Sequence, residues 1–189
     1  PARSEPRGDG SQPSIILNSI DLQRMLGDIA AGELERVSAY LAGEIERLER
    51  AGATFGLLAA NTPHVVFDAI QARVKLPLLS IVEATLAAAR ERGFRRVALF
   101  GTRFTMEGRF YPDVFDRGGV TIVAPAAAER AFIHEKYVSE LIPGRFLPET
   151  RARMLEIMRA MKARDAIDAV ILGGTELPLL LDDESAAPV

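Results

Sequence analysis

The sequence predicts an α/β fold in which parallel sheets are flanked by helices. Two observations carry this expectation. Short apolar runs suited to buried strands take turns along the chain with amphipathic segments at helical spacing, and the connections between them are short. In addition, 48% hydrophobic residues in a chain of 189 is enough to bury a core for one domain or two small lobes. The expected organisation is a loop or tail over 1–13, a first lobe over 14–82 and a second over 83–189.

The elements follow in order. Pro1 to Ser14 is rich in Pro, Gly, Ser and charge without apolar periodicity, which reads as loop. Ser14 to Ile20 is a short apolar run expected to form a buried strand, and Asp21 can cap or turn the chain after it. Leu34, Val37, Leu41, Ile45 and Leu48 recur at helical spacing, with Glu and Arg on the opposite face and Gly52 closing the pattern. A strand over Phe55 to Ala59, a helix from Pro63 to about Arg73, a strand over Leu76 to Val82 and a helix from Thr85 to Arg92, ended by Gly93, come next. Arg96 to Phe100 and Val120 to Val123 are further strand-like runs. Phe132 to Leu141 and Glu149 to Ala163 read as helices, Pro148 suits a first helical turn, and Ala169 to Leu172 is the last strand. Met106, and Met154, Met158 and Met161 at helical spacing, are expected in the core.

Charge and composition narrow the function. With 23 basic and 26 acidic residues the net charge is −3, so neither a nucleic-acid footprint nor a polybasic membrane patch is visible, and a small molecule is the expected partner. No cysteine occurs, which excludes disulfides, thiolate metal ligation and thiol nucleophilic catalysis. Apolar runs such as 166–172, broken by Asp168, fall far short of the roughly 20 residues of a membrane span. No signal-peptide core opens the chain, so a cytoplasmic location is expected. The 2 histidines and the scattered carboxylates lack ligand spacing, so no metal site is expected. A glycine-rich phosphate-binding fingerprint is also missing.

In open α/β sheets ligands bind beyond the carboxyl ends of strands, so residues directly after each strand are the candidates for chemistry. Three such places stand out. Ala60-Asn61-Thr62-Pro63-His64 offers an amide and a hydroxyl at a strand-to-helix turn, where backbone N–H groups suit a carboxylate. Gly101-Thr102-Arg103-Phe104-Thr105 follows another strand, and Gly173-Gly174-Thr175-Glu176-Leu177-Pro178 repeats the pattern after the last one. Taken singly, each is equally a loop that caps its own helix.

Together, in this order and with Ile81-Val82-Glu83-Ala84-Thr85 between them, these motifs resemble the aspartate/glutamate racemase family over nearly all of Ser14 to Asp182. The resemblance implies two similar α/β lobes around a central cleft, no cofactor, and racemisation of an acidic amino acid through cysteine acid/base pairs. It also implies the homodimer that two-lobed relatives commonly form. The family's usual opening strand with its glycine-rich loop, and its closing strand and helix, are not seen, so these terminal parts of the fold are expected to be missing from this sequence. Ala60 and Gly174 occupy the two positions where the family usually carries its thiols. Racemisation needs one group to take the α-proton from one face and another to return a proton on the other, which a methyl group and a hydrogen cannot do.

Substitutes are therefore sought nearby. Glu176 carries a base, or caps a helix or pairs with an arginine; His64 titrates in the useful range, or points away from the site on its helix start. Both are the catalytic candidates. Asn61, Thr62, Thr102, Arg103, Thr105 and Thr175 are the candidates for holding substrate, the threonines being poor bases without an activating neighbour and Arg103 being suited to a bidentate carboxylate contact or to plain exposure. His134, in a helical stretch, reads as structural or solvated. The expected function is a cofactor-independent racemase or related isomerase acting on an acidic amino acid, or else an inactive family member that binds an amino acid or dicarboxylate.

Overall fold

In the computed structural model, which describes residues 13–181, the chain divides into two compact units. Among the described residues the first holds 13–56 and Ala69–Leu78, and the second holds Leu57–Asp68 and 79–181.

In the first unit the expected strand over Ser14 to Ile20 does not form, and Ile15 and Leu17 are exposed at 79% and 83%. The reason lies in where its polar groups go. Asn18 Nδ2 donates to Glu44 Oε2 at 2.8 Å and the Asp21 N–H donates to the Tyr40 hydroxyl at 2.9 Å, so the segment is tied to side chains of a helix and not to a neighbouring strand. Asp21 does cap: its Oδ1 accepts the Arg24 N–H at 3.0 Å and starts helix α1 (Leu22–Ala30), which the apolar pattern had not revealed. Helix α2 (Leu34–Arg50) is the predicted amphipathic helix, with Val37, Leu41 and Ile45 buried, and it packs on α1. The chain leaves it at Gly52 with φ of 95°, a left-handed conformation that costs glycine little. Strands β1 (Gly56–Leu57) and β2 (Leu78–Leu79) form a small two-stranded sheet, shorter than the apolar runs around them. Gln71 braces the return, its Oε1 accepting the Leu78 N–H at 2.8 Å while its Nε2 donates to the Leu76 carbonyl at 3.2 Å.

The predicted helix after Pro63 begins as a 3-10 turn over Thr62–Val66 and continues as α3 (Phe67–Gln71). Helix α4 (Ile81–Glu91) starts earlier than its periodicity suggested, because the Ser80 hydroxyl accepts the Glu83 N–H at 3.3 Å and caps it. The second unit is organised by a three-stranded parallel sheet in the order β4-β3-β5, with β3 Arg96–Gly101, β4 Thr121–Val123 and β5 Ala169–Gly173. Helices α5 (Arg103–Glu107), α6 (Phe110–Arg117), α7 (Ala127–Lys136), α8 (Pro148–Asp165) and α9 (Leu177–Leu180) complete it. Pro148 stands in the first turn of α8, as expected.

Strand β3 shows how sequence becomes layers. Its side chains alternate between faces. Val97 and Leu99 enter a core with Val82 and Leu86 of α4 and Tyr111 and Phe115 of α6. Ala98 and Phe100 enter the opposite core with Ile133 of α7, and with Met154, Met158 and Met161 of α8. The methionines, Met106 included, are buried as predicted. Each fully buried large side chain contributes about 1.5–3 kcal/mol relative to exposure, so β3 is the element on which both faces of the unit depend. Asp168 sets the register of β5 beside it, its Oδ2 accepting the Arg95 and Arg96 N–H groups at 2.6 and 2.9 Å. Those donors hold the Asp168 carboxyl below its usual range.

Candidate functional site

Strands β3 and β5 end side by side on Gly101 and Gly173, which are paired in register. Neither position has room for a side chain. A Cβ on Gly101 would lie 2.7 Å from the Gly173 carbonyl oxygen, and one on Gly173 would lie 2.8 Å from the Phe100 carbonyl oxygen. Thr105, fully buried, packs its methyl over both glycines, 3.0 Å from either built Cβ. Thr102 opens α5 by accepting the Thr105 N–H on its hydroxyl at 3.4 Å, and the two hydroxyl oxygens lie 3.3 Å apart. Arg103 follows on the exposed side with its guanidinium 6.0 Å from the Phe104 ring. Its backbone N–H donates to His134 Nδ1 at 3.2 Å, which gives His134 the structural role anticipated for it. Burial, with the Arg103 charge behind it, lowers the His134 pKa.

Beyond β5 the chain brings Thr175 and Glu176 together with a residue that the motifs did not include. The Tyr137 hydroxyl donates to Glu176 Oε2, and the Thr175 hydroxyl donates to the same oxygen at 2.8 Å. Tyr137 is only 5% exposed. Burial first, and then the Glu176 carboxylate, raise the phenol pKa well above its ordinary value. It begins a π-helical turn, Tyr137–Leu141, that continues α7.

A second cluster gathers on the 3-10 turn. Asn61 is buried, and its Oδ1 accepts the Tyr111 hydroxyl at 2.6 Å, which fixes the amide so that Nδ2 faces away from Tyr111. Burial pushes the Tyr111 phenol up to about 12, partly offset by the Thr85 hydroxyl. His64 is 3% exposed and uses both ring nitrogens on backbone: Nδ1 faces the Ala60 carbonyl at 3.0 Å and Nε2 accepts the Ile81 N–H at 3.2 Å. Only the neutral ring protonated on Nδ1 satisfies both contacts. Burial lowers its pKa, in the same direction. The imidazole, stacked on Phe67 at 5.1 Å, thus fastens the 60–66 loop to the start of α4. Thr62 is half-buried in that loop.

The arrangement therefore brings Thr102, Thr105, Thr175 and Glu176 to the adjoining ends of two paired strands, and it holds Asn61, Thr62 and His64 on a loop bound to α4 and α6. The profile of the Asp/Glu/Hydantoin racemase family matches residues 2–189. The chain belongs to this family. Among solved racemase-family structures, an Asp/Glu racemase homologue from Yersinia pestis is 29% identical with a TM-score of 0.83, covering 91% of this chain and 75% of its own. An aspartate racemase homologue from Pyrococcus horikoshii is 32% identical with a TM-score of 0.81, covering 92% of this chain and 75% of its own. The broad specificity amino-acid racemase RacX of Bacillus subtilis is 32% identical over 89 residues, 47% of this chain and 38% of the relative's length.

Sequence motifs pointed to the strand-end residues but not to Tyr111 and Tyr137. Both tyrosines sit in helical segments as apolar-looking positions, and their partners lie 50 and 39 residues away. No local signal marks such pairs. The Tyr111 contact makes a direct prediction. Tyr111→Phe keeps the shape but leaves the buried Asn61 carbonyl without its donor, a loss of about 1–2 kcal/mol. Thermal melting should fall by about 2–8 °C, and Asn61→Ala added to Tyr111→Phe should cost less than it does alone. Equal costs in both backgrounds would show that the two side chains are not coupled.

Among the described residues no cluster of His, Asp and Glu could hold a metal ion, and no helix is long and apolar enough to cross a membrane.

Proposed function

We propose that this protein is a cofactor-independent racemase or related isomerase that moves the α-proton of an acidic amino acid. The observation that carries this reading is the Glu176 carboxylate at the end of β5, oriented by Thr175 and Tyr137 beside the Thr102 and Thr105 turn. Family membership supports amino-acid racemase chemistry in general. In this reading Glu176 is the base, and Thr102, Thr175 and Arg103, with Asn61 and Thr62, supply donors for the substrate carboxylates, while Thr105, expected from the sequence to hold substrate, is fully buried and instead braces the turn. Such donors stabilise the charge that develops when Cα–H breaks. His64, with both nitrogens engaged, holds the 60–66 loop in place and exchanges no proton with substrate.

The test is hydrogen exchange at Cα. Incubation of the protein with L- and D-aspartate and glutamate in D₂O should replace the Cα–H signal by deuterium in proton NMR, and a blank across all four would sink the reading. The absence of any cysteine favours a second reading, a family member that binds amino acids or dicarboxylates without turnover. That reading expects ligand-induced thermal stabilisation without exchange.

A further inference from the structure

Gly174 is buried, and the space its side chain would need is already filled. A Cβ built there would lie 2.5 Å from both Cε2 and the hydroxyl oxygen of Tyr137 and 2.7 Å from its Cζ. The phenol thus stands where a side chain at 174 would begin, directly after β5, with its hydroxyl on Glu176. The π turn helps to put it there. The Ile142 N–H donates to the Tyr137 carbonyl at 3.0 Å, five residues back, so the helix widens at the point where this ring leaves it. Such turns are rare and are found frequently at functional sites.

Resting on the function proposed above, we propose that Tyr137 relays the α-proton between substrate and Glu176. In the step, the Cα–H bond breaks and leaves its electron pair on the substrate carbanion. The phenol oxygen takes that proton as its own O–H proton passes to Glu176 Oε2, so one O–H bond breaks and two form. The negative charge moves from Glu176 to the substrate, and the phenol is neutral before and after. Return by the same path delivers a solvent-exchanged proton to the same face, which accounts for Cα exchange, while inversion requires a second donor on the opposite face. A relay suits this environment because burial and the adjacent carboxylate disfavour a free phenolate. The Thr175 hydroxyl on the same Glu176 oxygen keeps the acceptor aimed.

The experiment compares the full chain with Tyr137→Phe, with Tyr137→Ala, and with Tyr137→Ala combined with Gly174→Cys, reading Cα exchange in D₂O with L- and D-aspartate and glutamate and the thermal shift each ligand induces. Both single variants should lose about 100-fold or more in exchange. Tyr137→Phe, almost isosteric, should keep the ligand-induced shift, which separates lost chemistry from lost folding. The double variant should recover about tenfold or more over Tyr137→Ala, because a proton-exchanging thiol enters the emptied volume. Exchange by Tyr137→Phe within about threefold of the unmodified protein, well below what a lost acid or base costs, would overturn the relay alone. So would a double variant that keeps its ligand-induced shift but exchanges no faster than Tyr137→Ala. Absence of exchange in the unmodified protein would instead remove the racemase reading, and the relay with it.

Discussion

Glu176→Gln is expected to abolish Cα exchange while leaving ligand binding nearly intact. Gln has the same shape, and its side-chain oxygen can still accept hydrogen bonds from Tyr137 and Thr175, the two donors that now meet on Glu176 Oε2. It cannot take a proton. Removing a placed base costs about 10²–10⁴ in rate, and since the contacts to a bound carboxylate do not depend on that base, the loss should fall on kcat with little change in KM. Steady-state exchange rates over a range of aspartate and glutamate concentrations would read the split. A rise in KM with kcat unchanged would assign Glu176 to substrate holding and move the search for the base elsewhere.

Gly101→Val should be the most damaging small substitution at the strand ends. The built Cβ at 2.7 Å from the Gly173 carbonyl oxygen meets backbone of the adjoining strand, which cannot turn aside as a side-chain tip could. Overpacking of this kind costs about 1–3 kcal/mol and sometimes more, and the branched side chain places this case at the upper end, about 3 kcal/mol. With a urea slope of about 2 kcal/mol/M, the unfolding midpoint should drop by about 1.5 M. Thr105 packs against the same spot, so any surviving folded protein should also bind aspartate and glutamate poorly. A midpoint within about 0.3 M of the parent, equivalent to about 0.6 kcal/mol at that slope, would mean that β3 and β5 separate at their ends more easily than their paired register suggests.

Much of the fold was legible because its signals are local. Leu34, Val37, Leu41 and Ile45 repeat on one helical face, Gly52 and Gly93 take positive φ after helices, and Val97 to Phe100 alternate between two cores. The failures were also physical. Ser14 to Ile20 has strand composition, but a strand requires a partner ladder, and Asn18 and Asp21 bond to α2 side chains instead. The run from Leu76 to Val82 is apolar except for Ser80, so periodicity did not divide it, and the Ser80 cap makes its last two residues helical. Helix α6 is only 8 residues long, with Pro112 in its first turn, too short for a clear apolar stripe. At the site, the strand-end hydroxyls and Glu176 could be read because position after a strand is itself a local property. His64 could be picked out as a titratable group, but the Ile81 N–H that occupies its second nitrogen comes from a helix start 17 residues on. Tyr137 was invisible for the same reason, since its significance depends on the missing side chain of Gly174.

The widened turn at Tyr137–Leu141 makes chain length, as well as residue identity, a variable in this protein. In a regular α-helix, residues four apart drift by about 40° around the axis, so a line of three spreads over about 80° of one face. The π turn takes up that drift, and Ile133, Tyr137 and Leu141 all remain buried in one core. The extra residue is thus a spacer that keeps the tyrosine in phase with the helix on either side. Losing it would shift the phase of everything downstream without changing a single residue of the site, so an inserted or deleted residue in this segment can reach Glu176 as surely as a substitution can.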